Sequence, residues 1–425
     1  MTRPEAVAPS ETWTSGSGTR VSGKYTLRYD ARAMCRWYRS EGSSFPQTAQ
    51  STQGYTFPES RKEPLLGVFD ALGDRGHEEV VFGSDPASGL KTIIAIHSTA
   101  LGPALGGTRF FPYGSEKDAL DDVLRLSQAM ALKAAAAGLD LGGGKAVIIG
   151  DSRKLKSERL WRAYGRVVDS LQGRYITAED VGTDAHDMEM IRRETRWVVG
   201  VPVEEGGSGD PSPATARGLM AATRAVLKFM GGSESVSGRK VAVLGVGKVG
   251  SDLVRRFVEE GAKVTIADVY PPAIERLTAA FDVDVVSPED IVEVECDVFA
   301  PCSMGGLLDD TTIPRLRCQA IVGSANNQLA TVADAERIAE RDILYAPDFV
   351  VNAGGLINVS EELTGYAIEK AAAHIDKIYD NTLRVLEASR ERRVTPNVAA
   401  VDLAEERINE IGNLRLFRRS GDDRN

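Results

Sequence analysis

Cysteine and histidine are scarce in this 425-residue chain, with four of each: Cys35, Cys296, Cys302 and Cys318, and His77, His97, His186 and His374. No CxxC pair occurs and no histidines sit at ligand spacing, so no metal centre is expected. Sparse cysteine fits a reducing compartment, and the expected location is cytoplasmic. A run of about 18 apolar residues is missing, which excludes a transmembrane helix. The first segment also lacks the apolar core of a signal peptide. Nor is there a surplus of positive charge: 51 Lys and Arg against 61 Asp and Glu leave a net charge of −10. Nucleic acid and an anionic membrane surface are therefore not expected partners.

Aliphatic residues are almost absent from residues 1–60, where Val7, Val21 and Leu27 stand among 22 Ser, Thr or Gly. Such a stretch buries too little apolar surface to offset its ordering entropy, and 1–65 reads as a disordered tail. Two other readings remain open. The arginine and aromatics at Arg36, Trp37 and Tyr38 suit a recognition segment, or translation begins further on.

From about Leu66 the pattern changes to alternating α/β. Residues 79–83 and 91–97 read as strands, 115–137 as a long amphipathic helix and 144–150 as a buried strand. The Gly/Pro/Ser cluster at 204–212 reads as a domain boundary. Pro213 after Ser212 has the pattern of N1 after an N-cap, opening a helix to about Met230. A second α/β block runs to about Asn352, and helical stretches at 361–390 and 402–415 close the chain. The expected fold is α/β with two domains separated by a cleft. A substrate domain spans 66–202, a Rossmann dinucleotide-binding domain spans 203–352, and C-terminal helices over 353–425 return toward the first.

A nucleotide signal lies in the second block. The apolar strand at 239–244 runs into Gly245-Val246-Gly247-Lys248-Val249-Gly250, followed by a helix from Ser251, a second strand and Asp268. In this order Gly245 permits a tight turn, Gly247 lets backbone approach a pyrophosphate, and Gly250 allows helix and strand to pack closely. The phosphates then meet the helix N-terminus. Asp268 stands where an acid bonds ribose hydroxyls, and no arginine follows to receive a 2′-phosphate, so the expected cofactor is NAD.

The first block carries the reactive side chains. Val123, Leu126 and Met130 recur at i, i+3 and i+7 as a buried stripe, and Lys133 falls at i+10. An inward Lys133 needs an anionic partner; the alternative is snorkelling from the helix end. Lys145 follows Gly142-Gly143-Gly144, but Leu139 and Ala146 stand where a Walker motif needs Gly and Ser or Thr, so this is not a P-loop. The glycines instead admit a ligand or another backbone beside Lys145. A lysine near a second lysine and partly desolvated has its pKa lowered and works as a base near neutrality. Asp180 is its candidate partner, though Asp180-Val181-Gly182 also reads as a simple turn.

Five motifs occur in order: Leu101-Gly102-Pro103-Ala104-Leu105-Gly106-Gly107-Thr108-Arg109; Lys133 with Gly142-Gly143-Gly144-Lys145; Ala178-Glu179-Asp180-Val181-Gly182-Thr183; Gly323 through Leu329; and Asn352-Ala353-Gly354-Gly355. Together they resemble the Glu/Leu/Phe/Val dehydrogenase family, most closely its leucine and valine branch, over roughly 66–415. The resemblance implies reversible oxidative deamination of an L-amino acid to a 2-oxo acid and ammonia, by a homo-oligomer. It gives Lys133 the substrate carboxylate, Lys145 the activation of water and Asp180 a proton shuttle. Asn327 and Thr215 would position the nicotinamide and ribose end, beside the fingerprint residues through Ser251. It also implies a side-chain pocket of Leu105, Gly106, Met130, Ala178, Leu356 and Val359. Glutamate-specific relatives place lysine and serine where Leu105 and Val359 stand, so a branched-chain amino acid is expected. A phenylalanine or glutamate dehydrogenase, or a catalytically silent NAD-binding regulator, are the alternatives. Gly354-Gly355 is the expected flexible point where the chain crosses back.

Overall fold

The computed structural model describes residues 68–412 and Leu414. The tail expected at 1–65 lies outside these residues. Two sheets organise the chain. The first contains β1 (Glu79–Asp85), β2 (Leu90–Ser98), β3 (Ala104–Phe111), β4 (Gly142–Ile149) and β5 (Tyr175–Glu179), in the order β1-β2-β4-β3-β5. The β1–β2 and β2–β4 pairs are antiparallel, whereas β3 pairs parallel with both β4 and β5. The second contains β6 (Lys240–Leu244), β7 (Lys263–Ala267), β8 (Asp284–Val285), β9 (Cys296–Pro301), β10 (Cys318–Ile321) and β11 (Leu344–Tyr345). Its order, β11-β10-β9-β6-β7-β8, is parallel throughout. This is the doubly wound Rossmann order, whose switch point falls between β6 and β9.

The long helix of the first block spans Glu116–Ala136, with Ser115 Oγ accepting from Asp118 N at the N-cap. Its buried face keeps Val123 of the expected stripe but not the rest. Ala119, Val123, Ser127, Ala131 and Ala134 are buried, while Leu126, Met130 and Lys133 are only partly so. The face against β2 and β4 is turned round the helix from that stripe: Val123 and Leu124 pack with Ile93, Ala95 and Val147, and small alanines continue the buried face toward the C-terminus. Met130 and Lys133 are left on the cleft side.

Of the glycines before Lys145, Gly143 serves this packing. A Cβ on Gly143 would lie 2.3 Å from the backbone nitrogen of Ala131, so only glycine lets the helix press onto β4. The close backbone is thus the helix itself.

Other boundaries moved. The helix of the linker spans Ser212–Gly231, with Pro211 rather than Ser212 at the N-cap. Asp210 Oδ1 accepts the Ser212 N–H at 2.9 Å, so a side chain two residues earlier takes the capping role. The C-terminal stretch expected at 361–390 is broken into Ile368–Asp376 and Ile378–Arg392, and the last helix starts earlier, at Pro396. Gly354 and Gly355, the expected crossing point, lie in a packed helix start. They open the helix Gly354–Ser360, and a Cβ on Gly354 would lie 2.3 Å from the carbonyl of Ala214. Their smallness seats this helix on the start of Ser212–Gly231.

The last helix returns to the first block. Ala400 and Ala404 share one buried cluster with Ala135 and Ala136, and Arg407 Nη2 donates to Asp140 Oδ1 at 2.8 Å. No helix among the described residues is long and apolar enough to cross a membrane.

Candidate active site

Lys145 sits mid-strand on β4, opposite Ala95 of β2, and is buried. Asp180 follows β5 directly, and the parallel β3 lies between the two strands. The sheet therefore sets the pair side by side, with Lys145 Nζ 3.0 Å from Asp180 Oδ2. Burial lowers the Lys145 pKa most, Asp180 opposes that, and Arg109 adds to it. For Asp180, burial works toward protonation, but Lys145 and Arg109 together overcome it and hold the carboxyl well below its ordinary range. The Asp180 backbone N–H donates to Thr183 Oγ1 at 2.8 Å, so the turn and the ion pair coexist.

Lys133 reaches across the chain: its Nζ donates to Asn326 Oδ1 at 3.3 Å. Desolvation lowers its pKa to about 8, against the attraction of Asp348 and with the help of the Lys145 charge. The anionic neighbour of Lys133 is thus Asp348, in the second block, which the sequence reading missed. Asp348 is buried and accepts from the N–H of Gln328 (3.1 Å) and of Phe349 (2.8 Å), which holds the segment carrying Asn326 and Asn327. Asn327 itself has φ 52°, the left-handed region that asparagine tolerates better than most side chains. A strand–Asp–helix pattern at Tyr345–Asp348 was the only available signal for Asp348, and polar strand ends are too common to single it out.

Leu105, Ala178, Leu356 and Val359, with Met130 against them, form one apolar cluster together with Ala134, Leu141, Ile176 and Val199. Five of the six expected pocket residues are thereby brought together from both sides of the chain. The sixth, Gly106, is buried on β3, and its carbonyl accepts from Tyr175 Oη at 2.6 Å.

The dinucleotide fingerprint follows β6 at the switch point. Gly250 is required there, since a Cβ would lie 2.0 Å from the Gly245 carbonyl oxygen. Gly247 is the N-cap of the helix Lys248–Glu259; no side chain caps it, and nothing lies within 4 Å of where its Cβ would be. The helix N-terminus is thus bare backbone facing open space, which fits a pyrophosphate. Asp268 ends this strand–helix–strand unit, with Oδ2 accepting from Val246 N at 2.6 Å and Oδ1 from Tyr270 N at 2.8 Å. The remaining expected residues divide. The Val246 side chain is in the core, so only its backbone can meet a ligand, and the partly buried Val249 packs against the same core. Ser251 Oγ donates to the Val246 carbonyl at 2.6 Å, which braces the loop. Lys248 Nζ is turned to Asp210, 3.2 Å away, and Thr215 Oγ1 donates to the Pro211 carbonyl beside Gly355. Among the described residues no group of three or more His, Cys, Asp or Glu side chains is placed to hold a metal.

A Rossmann sheet with a glycine fingerprint, joined to a second sheet that holds a buried lysine–aspartate pair, defines a two-domain, dinucleotide-dependent oxidoreductase. Comparison with known proteins sharpens this. The Glu/Leu/Phe/Val dehydrogenase dimerisation domain matches residues 77–197, and Glutamate/Leucine/Phenylalanine/Valine dehydrogenase matches 206–271 and 272–413. Leucine dehydrogenase of Geobacillus stearothermophilus is 51% identical over 343 residues, covering 81% of this chain and 94% of that protein. Valine dehydrogenase of Streptomyces virginiae is 50% identical over 338 residues, covering 79% and 94%. The crystal structure of L-tryptophan dehydrogenase from Nostoc punctiforme superimposes with a TM-score of 0.72 at 43% identity, covering 81% of this chain and 99% of that one. The chain belongs to the Glu/Leu/Phe/Val dehydrogenase family. It is an amino-acid dehydrogenase, acting on a CH–NH2 group.

Proposed function

We propose that this protein catalyses the reversible, NAD-linked oxidative deamination of a branched-chain L-amino acid: amino acid, NAD and water give the 2-oxo acid, ammonia, NADH and a proton. The observation that carries this reading is the apolar cluster of Leu105, Met130, Ala178, Leu356 and Val359 beside Lys133, Lys145 and Asp180. A glutamate side chain would find no partner for its distal carboxylate in that cluster, at a cost of several kcal/mol. An aliphatic side chain gains about 0.8 kcal/mol per buried methylene.

The roles follow from charge and position. Lys133, at the cleft, takes the substrate α-carboxylate. Lys145, whose burial favours the neutral amine, accepts a proton from the water that adds to the imine carbon. Asp180, an ionised carboxylate 3.0 Å from that amine, passes protons to and from the substrate nitrogen so that ammonia can leave. The bound dinucleotide supplies the chemistry of hydride acceptance. It would be held by backbone at Gly245, Gly247 and Gly250 and by Asp268, with Asn327 and Thr215 toward the nicotinamide end. Asp268 would bond the ribose hydroxyls and repel a 2′-phosphate, which supports NAD over NADP.

The substrate domain of this reading is 66–202 and the dinucleotide domain is 203–352, with 353–425 bridging back. A homo-oligomer is part of the same reading. It is supported by the family description of 77–197 as a dimerisation domain and by the edge strand β1, where Phe82 is exposed. Light scattering tests that state. A cytoplasmic location rests on cysteine usage alone.

The test of substrate is direct. NADH formation is measured with leucine, valine, isoleucine, phenylalanine, tryptophan and glutamate. The highest kcat/KM is expected for one of the first three; a preference for glutamate or an aromatic substrate overturns the reading of the pocket.

A further inference from the structure

Asp180 Oδ2 is shared between two cations. Lys145 Nζ and Arg109 Nε each lie 3.0 Å from the same oxygen, one from β4 and one from β3. The other end of the Arg109 guanidinium is fixed as well: Nη1 lies 2.9 Å from Asp122 Oδ2, on the helix that carries Lys133. Asp122 is itself held by Tyr113 Oη at 2.7 Å and by Arg125 Nη2 at 2.5 Å. Arg109 is 11% exposed, so this is an interior bridge rather than a solvated surface pair.

We infer that Arg109 is a positioning residue of the reaction: anchored by Asp122, it is a fixed counter-charge that keeps the Asp180 carboxylate aimed at Lys145 throughout the proton cycle. This inference rests on the proposed roles of Lys145 and Asp180. Its physical basis is an asymmetry between the two cations. Lys145 must lose its proton to act as a base, and at that moment Asp180 loses one of its two partners. A buried carboxylate left without a cation tends to protonate or turn away. A guanidinium does not deprotonate in the working range, so Arg109 supplies the charge that Lys145 periodically withdraws. Its planar fork can hold two carboxylates at once, which a lysine ammonium in the same place cannot do with the same geometry. The ionisable groups facing this pair are Lys133, Glu179, Asp122 and Tyr113; of these, Asp122 works to raise the Lys145 pKa, against Arg109.

The test is the pH profile of kcat/KM for deamination in Arg109→Gln and Arg109→Lys, with NADH affinity and melting temperature measured alongside. In R109Q the positive charge beside Lys145 is gone, so the amine keeps its proton to higher pH. The acid limb then moves upward by about one pH unit, and kcat falls about tenfold or more. In R109K the limb returns most of the way, because the charge is restored, while kcat stays reduced because one fork is lost. A purely structural arginine would lower melting temperature and leave the limb in place; that result in folded R109Q overturns the inference. If R109Q does not fold, R109K decides: wild-type kcat overturns the inference, and a tenfold loss with intact NADH binding supports it. Lys145→Ala is run in parallel. Wild-type turnover in K145A would defeat the site reading itself, whereas an inactive K145A with an unmoved R109Q limb defeats only the role of Arg109.

Discussion

Lys133 and Asn326 are 193 residues apart in sequence, yet the lysine Nζ donates to the asparagine Oδ1 across the cleft. The same oxygen accepts from Asn352 Nδ2 at 3.0 Å, so Lys133 is tied to the segment that leads into Asn327. The lysine proposed to bind the substrate carboxylate and the segment leading into Asn327 therefore share one hydrogen-bonded group.

The first prediction concerns this lysine. Lys133→Ala should raise KM for the amino acid about 10- to 100-fold, the equivalent of one charge-assisted hydrogen bond of roughly 1.5–3 kcal/mol. NADH affinity, measured by fluorescence titration, should change little. An unchanged KM would remove Lys133 from the carboxylate site.

Lys133 also gives a signed pH effect. Its pKa is lowered to about 8 mainly by desolvation, and a bound carboxylate adds an opposite charge that raises it. Between these two values, binding takes up a proton. Calorimetry of a 2-oxo acid binding to the NAD complex at about pH 8.5, in buffers of different ionisation enthalpy, should show uptake in the wild type that K133A lacks.

Lys145→Ala is expected to cut kcat by several orders of magnitude while leaving NADH binding nearly intact, because the side chain lies in the first sheet and the fingerprint in the second. Stopped-flow and equilibrium titration separate the two effects.

Cofactor choice should depend on Asp268. The wild type should use NAD with a kcat/KM at least about 100-fold above that for NADP. Asp268→Ala should narrow the ratio by losing ribose bonds and charge repulsion together. Because Asp268 also braces Val246, the variant should lose some affinity for both cofactors.

Acid stability should depend on a histidine pair that the proposed mechanism does not use. His77 and His97 meet edge to face with ring centroids 4.9 Å apart, and His77 Nε2 is 2.9 Å from Ser127 Oγ. Burial, then the neighbouring His97, lowers the His77 pKa from 6.5 to about 4. The unfolded chain thus binds more protons than the folded one between these values. The contribution of His77 is complete above about pH 6.5 and is lost as pH falls toward about 4. The loss is at most about 3 kcal/mol, reduced by solvent screening. Denaturant melts from pH 7.5 to 4.5 should show that slope, and His77→Gln should flatten it.

The fingerprint was legible in the sequence because each of its requirements is local. A strand must stop, a helix N-terminus must stay bare, and an acid must follow the next strand; three glycines and Asp268 state this within one βαβ unit. The lysines were legible through their spacing and through the family motifs that surround them. Strands β3 and β5 were not, since Ala104–Phe111 carries the Gly106-Gly107 pair and Tyr175–Glu179 is only five residues long. In the sheet those glycines are what lets neighbouring backbones come close, a demand made by partners distant in sequence. The same holds for Arg109, Asp122 and Asp348, whose meaning lies only in what they touch. Sequence determined which chemistry the chain carries and which dinucleotide unit it contains. Tertiary structure decided which cations share Asp180, which side chains form the apolar cluster and where Gly354-Gly355 packs, because burial and charge pairing depend on distances in space that no local pattern encodes.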